Sequence, residues 1–339
     1  MRFTRRTLLA AAAFATACRA RSQDRDASSP AGGEVLRQTL DGMQPSGPFA
    51  VGLSPFLSAP MDAWLWYPAR TSPDPESRRP PQPPADYQER LARRFGRDRA
   101  WALTTAQGHA QIKAPASDGR FPLILFQPGS TFGSRDYTLL LEDLASQGYM
   151  VLGLHPFGSP RADAGRYGDV ASELRAVLNG LPALAAIDPL GQMLDDRIIL
   201  MGHSIGGAGA VLALDHPRAV AAANIDGDYG GASRVESPNK PILYMTGDSV
   251  PADARSEARR ARDWSMVGAG RKTALALRIP GMTHLDVLDA LALPPSPASG
   301  APGIAPSAPV RLGLKTWLAN PVGCRLADLS SSGVPAFQA

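Results

Sequence analysis

Ile198-Ile199-Leu200-Met201-Gly202-His203-Ser204-Ile205-Gly206-Gly207-Ala208 is an apolar run that meets a serine flanked by glycines and leaves through small residues. The run reads as a strand and the small residues as the start of a helix, with a sharp turn at Ser204 between them. The glycines at 202 and 206 have a steric reason. In so tight a turn, side chains two residues either side of the centre would collide with neighbouring backbone. The central hydroxyl then stands clear at the carboxyl end of a sheet, where open α/β sheets place their ligands. Gly-x-Ser-x-Gly is weak as a bare pattern, and it is the strand before it and the helix after it that carry the reading.

Working outward, short apolar runs alternate with amphipathic stretches. Strands are expected at 49–53, 63–67, 122–126, 149–154, 197–201, 219–225, 242–245 and 273–279, with the second stopped by Pro68. Helices are expected at 137–147, 168–186, 205–215, 252–267, 285–293 and 310–318. This alternation defines an α/β protein with a doubly wound, mostly parallel sheet and helices on both faces. Trp64 and Trp66 share a face by period-two alternation and read as core. No repeat of solenoid period is present. Of 339 residues, 44% are hydrophobic and 19% charged, which describes a globular chain with an ample core. No apolar run reaches the roughly 18 residues of a membrane span. Two cysteines, Cys18 and Cys324, exclude a disulfide framework and a cysteine-rich zinc site.

The first 18 residues read as a signal peptide. Arg5-Arg6 precedes the apolar stretch Leu8 to Ala17, too short to span a membrane, and small residues lead to Cys18. The arginine pair resembles a twin-arginine export signal, so an exported, periplasmic or secreted protein is expected. Ala-Thr-Ala-Cys also resembles a loose lipobox, in which lipidation of Cys18 would anchor the chain to a membrane; plain cleavage is the alternative. Without Arg2, Arg5 and Arg6 the balance is 32 basic against 31 acidic residues, which excludes a nucleic-acid partner on charge grounds. Residues 19–46 are polar and small and read as a tether. A single domain follows over 47–325, with residues 71–119, proline- and arginine-rich from Thr71 to Pro84 and helical in character from Asp86 to Arg94, read as a cap insertion. Residues 326–339 read as a C-terminal tail.

A serine hydroxyl needs a base to become a nucleophile. Five histidines make the search short. His109 and His155 precede the serine, His203 adjoins it and points elsewhere on the turn, and His216 ends the following helix. His284 lies in Pro280-Gly281-Met282-Thr283-His284-Leu285-Asp286, directly after the last strand, and is the candidate base. The orienting acid is Asp226 or Asp248, each at a strand end, with Asp228 a third choice in a turn. Spacing does not choose among them.

Gly202-His203-Ser204-Ile205-Gly206-Gly207-Ala208, Ile225-Asp226-Gly227 and Thr283-His284 resemble the α/β-hydrolase family of the platelet-activating factor acetylhydrolases and their bacterial relatives near dienelactone hydrolases. The likeness runs from Pro48-Phe49-Ala50-Val51-Gly52 through Trp66-Tyr67-Pro68 and Leu125-Phe126-Gln127-Pro128-Gly129 to about Leu291. It implies the α/β-hydrolase fold, a Ser204–His284–Asp226 triad and a serine carboxylic-ester hydrolase acting on short or oxidised acyl esters of small-molecule or lipid-like substrates. It favours Asp226 over Asp248, because the family's acid follows the strand after the elbow helix. It also places an oxyanion hole in Gln127-Pro128-Gly129-Ser130-Thr131, where Pro128 replaces the family's histidine; the Ser130 and Ile205 N–H groups are the implied donors. Gly129, His155 and Phe157 are expected to wall the substrate cleft. No cofactor is required and no paired-histidine metal motif is present. A polyester or xenobiotic ester hydrolase on the same fold is one alternative, and a non-catalytic exported lipid- or partner-binding lipoprotein is another.

Overall fold

The computed structural model describes residues 32–56, 62–72, 86–155, 166–187, 189–229, 239–247, 254–268, 271–293, 307–321, 324, 325 and 328. The export segment with Cys18, and also Phe157 and Asp248, lie outside them.

Nine strands among the described residues form one sheet: β1 (Ala50–Phe56), β2 (Asp62–Ala69), β3 (Gln111–Ile112), β4 (Phe121–Gln127), β5 (Met150–His155), β6 (Leu194–His203), β7 (Ala219–Ile225), β8 (Ile242–Gly247) and β9 (Ala274–Ile279). Their order is β3-β1-β2-β5-β4-β6-β7-β8-β9. β2 is antiparallel to both its neighbours, β1 and β5. From β5 to β9 every pairing is parallel. The carboxyl ends of those six strands therefore share one edge, and the loops that follow them converge there.

Alternation along the strands sorts the core into two layers. Ile124, Phe126, Val151, Ile199 and Met201 face one side, and Leu123, Leu125, Leu152, Ile198 and Leu200 the other. The first layer is covered by α1 (Gly33–Gly42), α2 (Tyr87–Phe95), α3 (Arg97–Thr105), α4 (Thr138–Ser146) and α9 (Ser307–Ala319). The second is covered chiefly by α5 (Arg166–Ile187) and α6 (Ile205–Leu212), with Val267 closing α7 (Ala254–Val267). Val170, Leu174, Val177, Leu178 and Leu181 form the buried stripe of α5 at spacings of three and four. Trp66 is fully buried and Trp64 packs against the same layer, as period two requires.

Three local expectations are corrected. Residues 33–42, read as part of the tether, form α1, because Leu36 and Leu40 stand one turn apart and bury against the first layer while Arg37 ties Glu34 to Asp41 on the outer face. Pro68 does not stop β2, which runs to Ala69 paired with β1. Its carbonyl accepts from Ser117 N–H (3.0 Å) on the side that β5 has already left, so the missing proline N–H sits at an edge. The helix expected over 285–293 shrinks to α8 (Asp289–Ala292). The Asp286 carboxylate takes both the N–H and the hydroxyl of Thr283, each at 2.7 Å, and this offers the backbone a turn in place of a helix.

Within the segment read as a cap, residues 86–119 carry α2, α3 and β3. Tyr87, Leu91, Ala100 and Leu103 are buried in the first layer, β3 pairs parallel with β1, and Glu142 of α4 accepts the N–H groups of His109 and Ala110. The end of α2 approaches the carboxyl edge of the sheet, where the Arg94 guanidinium lies 5.0 Å over the Phe132 ring.

Candidate active site

Ser204 joins β6 to α6 with φ 56° and ψ −129°, a conformation that side chains adopt only under constraint. The constraint is visible at both flanking glycines. A Cβ on Gly206 would lie 2.2 Å from the Gln127 carbonyl oxygen, and one on Gly202 would lie 2.4 Å from the Gly206 carbonyl carbon. Ser204 N–H bonds to the Ile225 carbonyl at 2.9 Å, which fixes the turn to the end of β7. Asp226, next along, is also left-handed at φ 51°. Its N–H bonds to the Met245 carbonyl at 2.7 Å, so the end of β8 sets its direction. Gly227 follows because a Cβ there would meet the Ser204 carbonyl oxygen at 2.1 Å.

These elements bring Ser204, His284 and Asp226 together. His284 Nε2 lies 3.1 Å from Ser204 Oγ, and His284 Nδ1 lies 2.7 Å from Asp226 Oδ2. A carboxylate only accepts, so Nδ1 carries the proton and the Nε2 lone pair faces the serine hydroxyl. The loop that carries His284 is held by Asp286 from one side and by β8 from the other. A Cβ on Gly247 would sit 1.9 Å from the Met282 carbonyl oxygen. Asp226 is largely buried while His284 is half exposed, which leaves the imidazole open to a reactant. Asp228 pairs instead with Arg259 at 3.4 Å.

The loop after β4 closes the other side. Phe132 N–H bonds to the Gly129 carbonyl at 3.2 Å, which makes residues 129–132 a turn, with Thr131 left-handed at φ 69°. Ile205 is the first residue of α6, so its N–H is among those a helix leaves without an internal partner. Gly129 donates its own N–H to Tyr137 Oη at 3.0 Å. His155 ends β5 paired with Asp62, and its side chain is outside the description.

Two residues that sequence reasoning passed over stand beneath the site. His203 is fully buried, with Nε2 2.7 Å from the His284 carbonyl oxygen and Nδ1 2.8 Å from Tyr137 Oη. Burial first, and the adjacent His284 ring second, lower its pKa to about 3, so the ring is neutral. Tyr137 is also fully buried, and burial pushes its hydroxyl well above the ordinary range. The available signal was a histidine inside a buried strand end, which must find hydrogen-bond partners. Of the remaining histidines, His216 bonds Asn179 at 3.0 Å and His109 engages Glu142 through its backbone. Among the described residues no three His, Cys, Asp or Glu side chains are grouped to hold a metal, and no helix is long and apolar enough to cross a membrane.

The strand order, the strained serine between β6 and α6, and the placement of an acid after β7 and a histidine after β9 define the α/β-hydrolase fold. No family model and no curated protein matches the chain. Among solved structures, the ferulic acid esterase from Streptomyces cinnamoneus is similar with a TM-score of 0.61 at 23% identity, covering 82% of this chain and 91% of that chain. The likeness is one of fold.

Proposed function

We propose that the chain is a serine carboxylic-ester hydrolase. The observation that carries the reading is the proton-ordered line from Ser204 Oγ to His284 (3.1 Å) to Asp226 (2.7 Å) at the carboxyl edge of the sheet. In this reading Ser204 Oγ attacks the ester carbonyl carbon as its proton passes to His284 Nε2. Asp226 keeps Nδ1–H in place and stabilises the imidazolium. The carbonyl oxygen, now an oxyanion, takes hydrogen bonds from the Ser130 and Ile205 N–H groups, worth about 3 kcal/mol each. His284 returns its proton to the departing alkoxide, leaving an acyl-Ser204 ester. Water then enters, gives its proton to His284 and displaces Ser204, which recovers that proton as the acid product leaves.

The substrates are short or oxidised acyl esters of the acetylhydrolase kind, on the resemblance of Gly202–Ala208, Ile225–Gly227 and Thr283-His284 described above. The chain is exported, on Arg5-Arg6 and the apolar stretch to Ala17, with Cys18 its lipid attachment point. The test is hydrolysis of p-nitrophenyl acetate, butyrate and octanoate, and of a ferulic acid ester, by the mature chain beside Ser204→Ala. Turnover fastest on the short esters, falling by more than about 10³ in the variant, is expected. Preference for the ferulic acid ester would move the substrate class to aromatic acids. No turnover of any ester would overturn the hydrolase reading and leave the non-catalytic lipoprotein.

A further inference from the structure

We propose that Tyr137 and His203 are positioning residues: one buried chain of hydrogen bonds, from Gly129 N–H through Tyr137 Oη and the His203 ring to the His284 carbonyl, holds the oxyanion loop and the base loop in register across Ser204. The inference rests on the ester-hydrolase reading for its consequence, but not for its geometry.

The proton order follows from the partners. The His284 carbonyl can only accept, so His203 Nε2, at 2.7 Å, must donate to it. In a neutral ring Nδ1 is then the acceptor, and Tyr137 Oη–H, at 2.8 Å, donates to it. The tyrosine oxygen in turn accepts from Gly129 N–H at 3.0 Å. Each group is used once in a direction it can supply. Both side chains are fully buried, so water does not compete for these bonds.

Packing shows that the chain is built in rather than incidental. A Cβ on Gly129 would lie 2.9 Å from His203 Nδ1 and 3.2 Å from Tyr137 Oη, so the loop approaches this closely only because residue 129 is glycine. The Tyr137 ring stands edge-on to Phe126 at 5.0 Å and to Phe132 at 6.4 Å. The first of these is in β4, and the second ends the turn that carries Ser130. The His203 ring lies 4.7 Å from the His284 ring. His203 is also covalently next to Ser204. The His203 side chain therefore bonds the backbone of the base directly and the loop of the implied oxyanion donor through Tyr137, while its own backbone continues into the nucleophile. A shift of either loop would have to break a buried bond, which is how a site keeps a donor and a base fixed on one reacting atom.

The first readout needs no substrate. In nitrogen-detected histidine spectra of the wild-type mature chain, His203 should stay neutral with Nε2 protonated and Nδ1 bare from pH 5 to 9; an Nδ1-protonated or charged His203 overturns the proposal. The second uses Tyr137→Phe, His203→Asn and the double variant on p-nitrophenyl butyrate. Each single change is expected to lower kcat ten- to a hundredfold with KM within about threefold, and the double to be no more than about threefold worse than the weaker single. Tyr137→Phe within threefold of wild-type kcat, or effects that multiply in the double variant, would overturn it. Should wild type hydrolyse no ester, the hydrolase reading fails alone, and the tautomer of His203 still decides the chain.

Discussion

On the proposed mechanism Asp226 is the orienting acid, and Asp226→Asn separates its contribution from the rest of the site. The carboxylate lies 2.7 Å from His284 Nδ1. At an effective dielectric constant of about 20, a unit charge at that distance stabilises the imidazolium by about 6 kcal/mol. The imidazole is half exposed, so solvent screens much of this and the charge alone carries only part of the effect. A second effect acts in the same direction. Gly247 N–H points at Asp226 Oδ1 from 3.4 Å, so an asparagine that keeps its oxygen there turns its NH₂ toward His284. The ring must then accept at Nδ1 and carry its proton on Nε2, the wrong tautomer to receive the serine proton. A fall in kcat of about 10³ to 10⁴ is expected, with KM little changed and thermal unfolding shifted by only a few degrees. The assay is steady-state hydrolysis of p-nitrophenyl butyrate, with Asp248→Asn beside it, expected within about threefold of wild type. Asp226→Asn within tenfold of wild type, or collapse in Asp248→Asn instead, would refute the assignment.

Gly206→Ala should destabilise the fold by about 2 kcal/mol and abolish turnover, because its Cβ would stand 2.2 Å from the Gln127 carbonyl oxygen. Gly180→Ala, in α5 with nothing within 4 Å of the added atom, should be neutral or stabilising by up to about 1 kcal/mol; denaturant melts distinguish them. Stability should fall as pH drops from about 6.5 toward 3. Over that range the unfolded chain protonates His203, whereas the folded chain, with the ring buried between the Tyr137 hydroxyl and the His284 ring, does not; the slope is at most about 1.4 kcal/mol per pH unit. His203→Asn should flatten that slope in pH-dependent melts, and an unchanged slope would place the acid lability elsewhere. In cells, a clickable fatty acid should label the wild-type chain and not Cys18→Ala, and an unlabelled wild type would mean plain cleavage before that residue.

What was legible in the sequence was what depends on local pattern. Apolar runs such as Pro122–Phe126 and Arg197–Met201 announce buried parallel strands, and β4 and β6 lie there, longer by one to three residues at each end. Gly202, Ser204 and Gly206 announce a tight turn because the crowding is within one segment. His284 was reachable by elimination among five histidines and by its place after the last strand. The rest depends on distant partners. Leu36 and Leu40 become a helix face only because the first layer receives them, in a stretch that is polar apart from the exposed Val35 and two glycines. The turn at Thr283–Asp286 defeats an apolar helical pattern through one carboxylate. The choice of Asp226 over Asp228 turns on where β8 holds the backbone, and Arg259 claims the other side chain. Tyr137 and His203 are 66 positions apart, and no pattern within either segment points to the bond between them.

The central claim is that Ser204 forms a covalent bond with the substrate's electrophilic centre. The most direct measurement is reaction of the mature chain with an alkyl fluorophosphonate, followed by intact and peptide mass spectrometry. The account predicts one adduct per chain, on the peptide holding Ser204, with loss of esterase activity in proportion and no adduct in Ser204→Ala. An adduct on another residue, or an active enzyme that takes no adduct at Ser204, would contradict it.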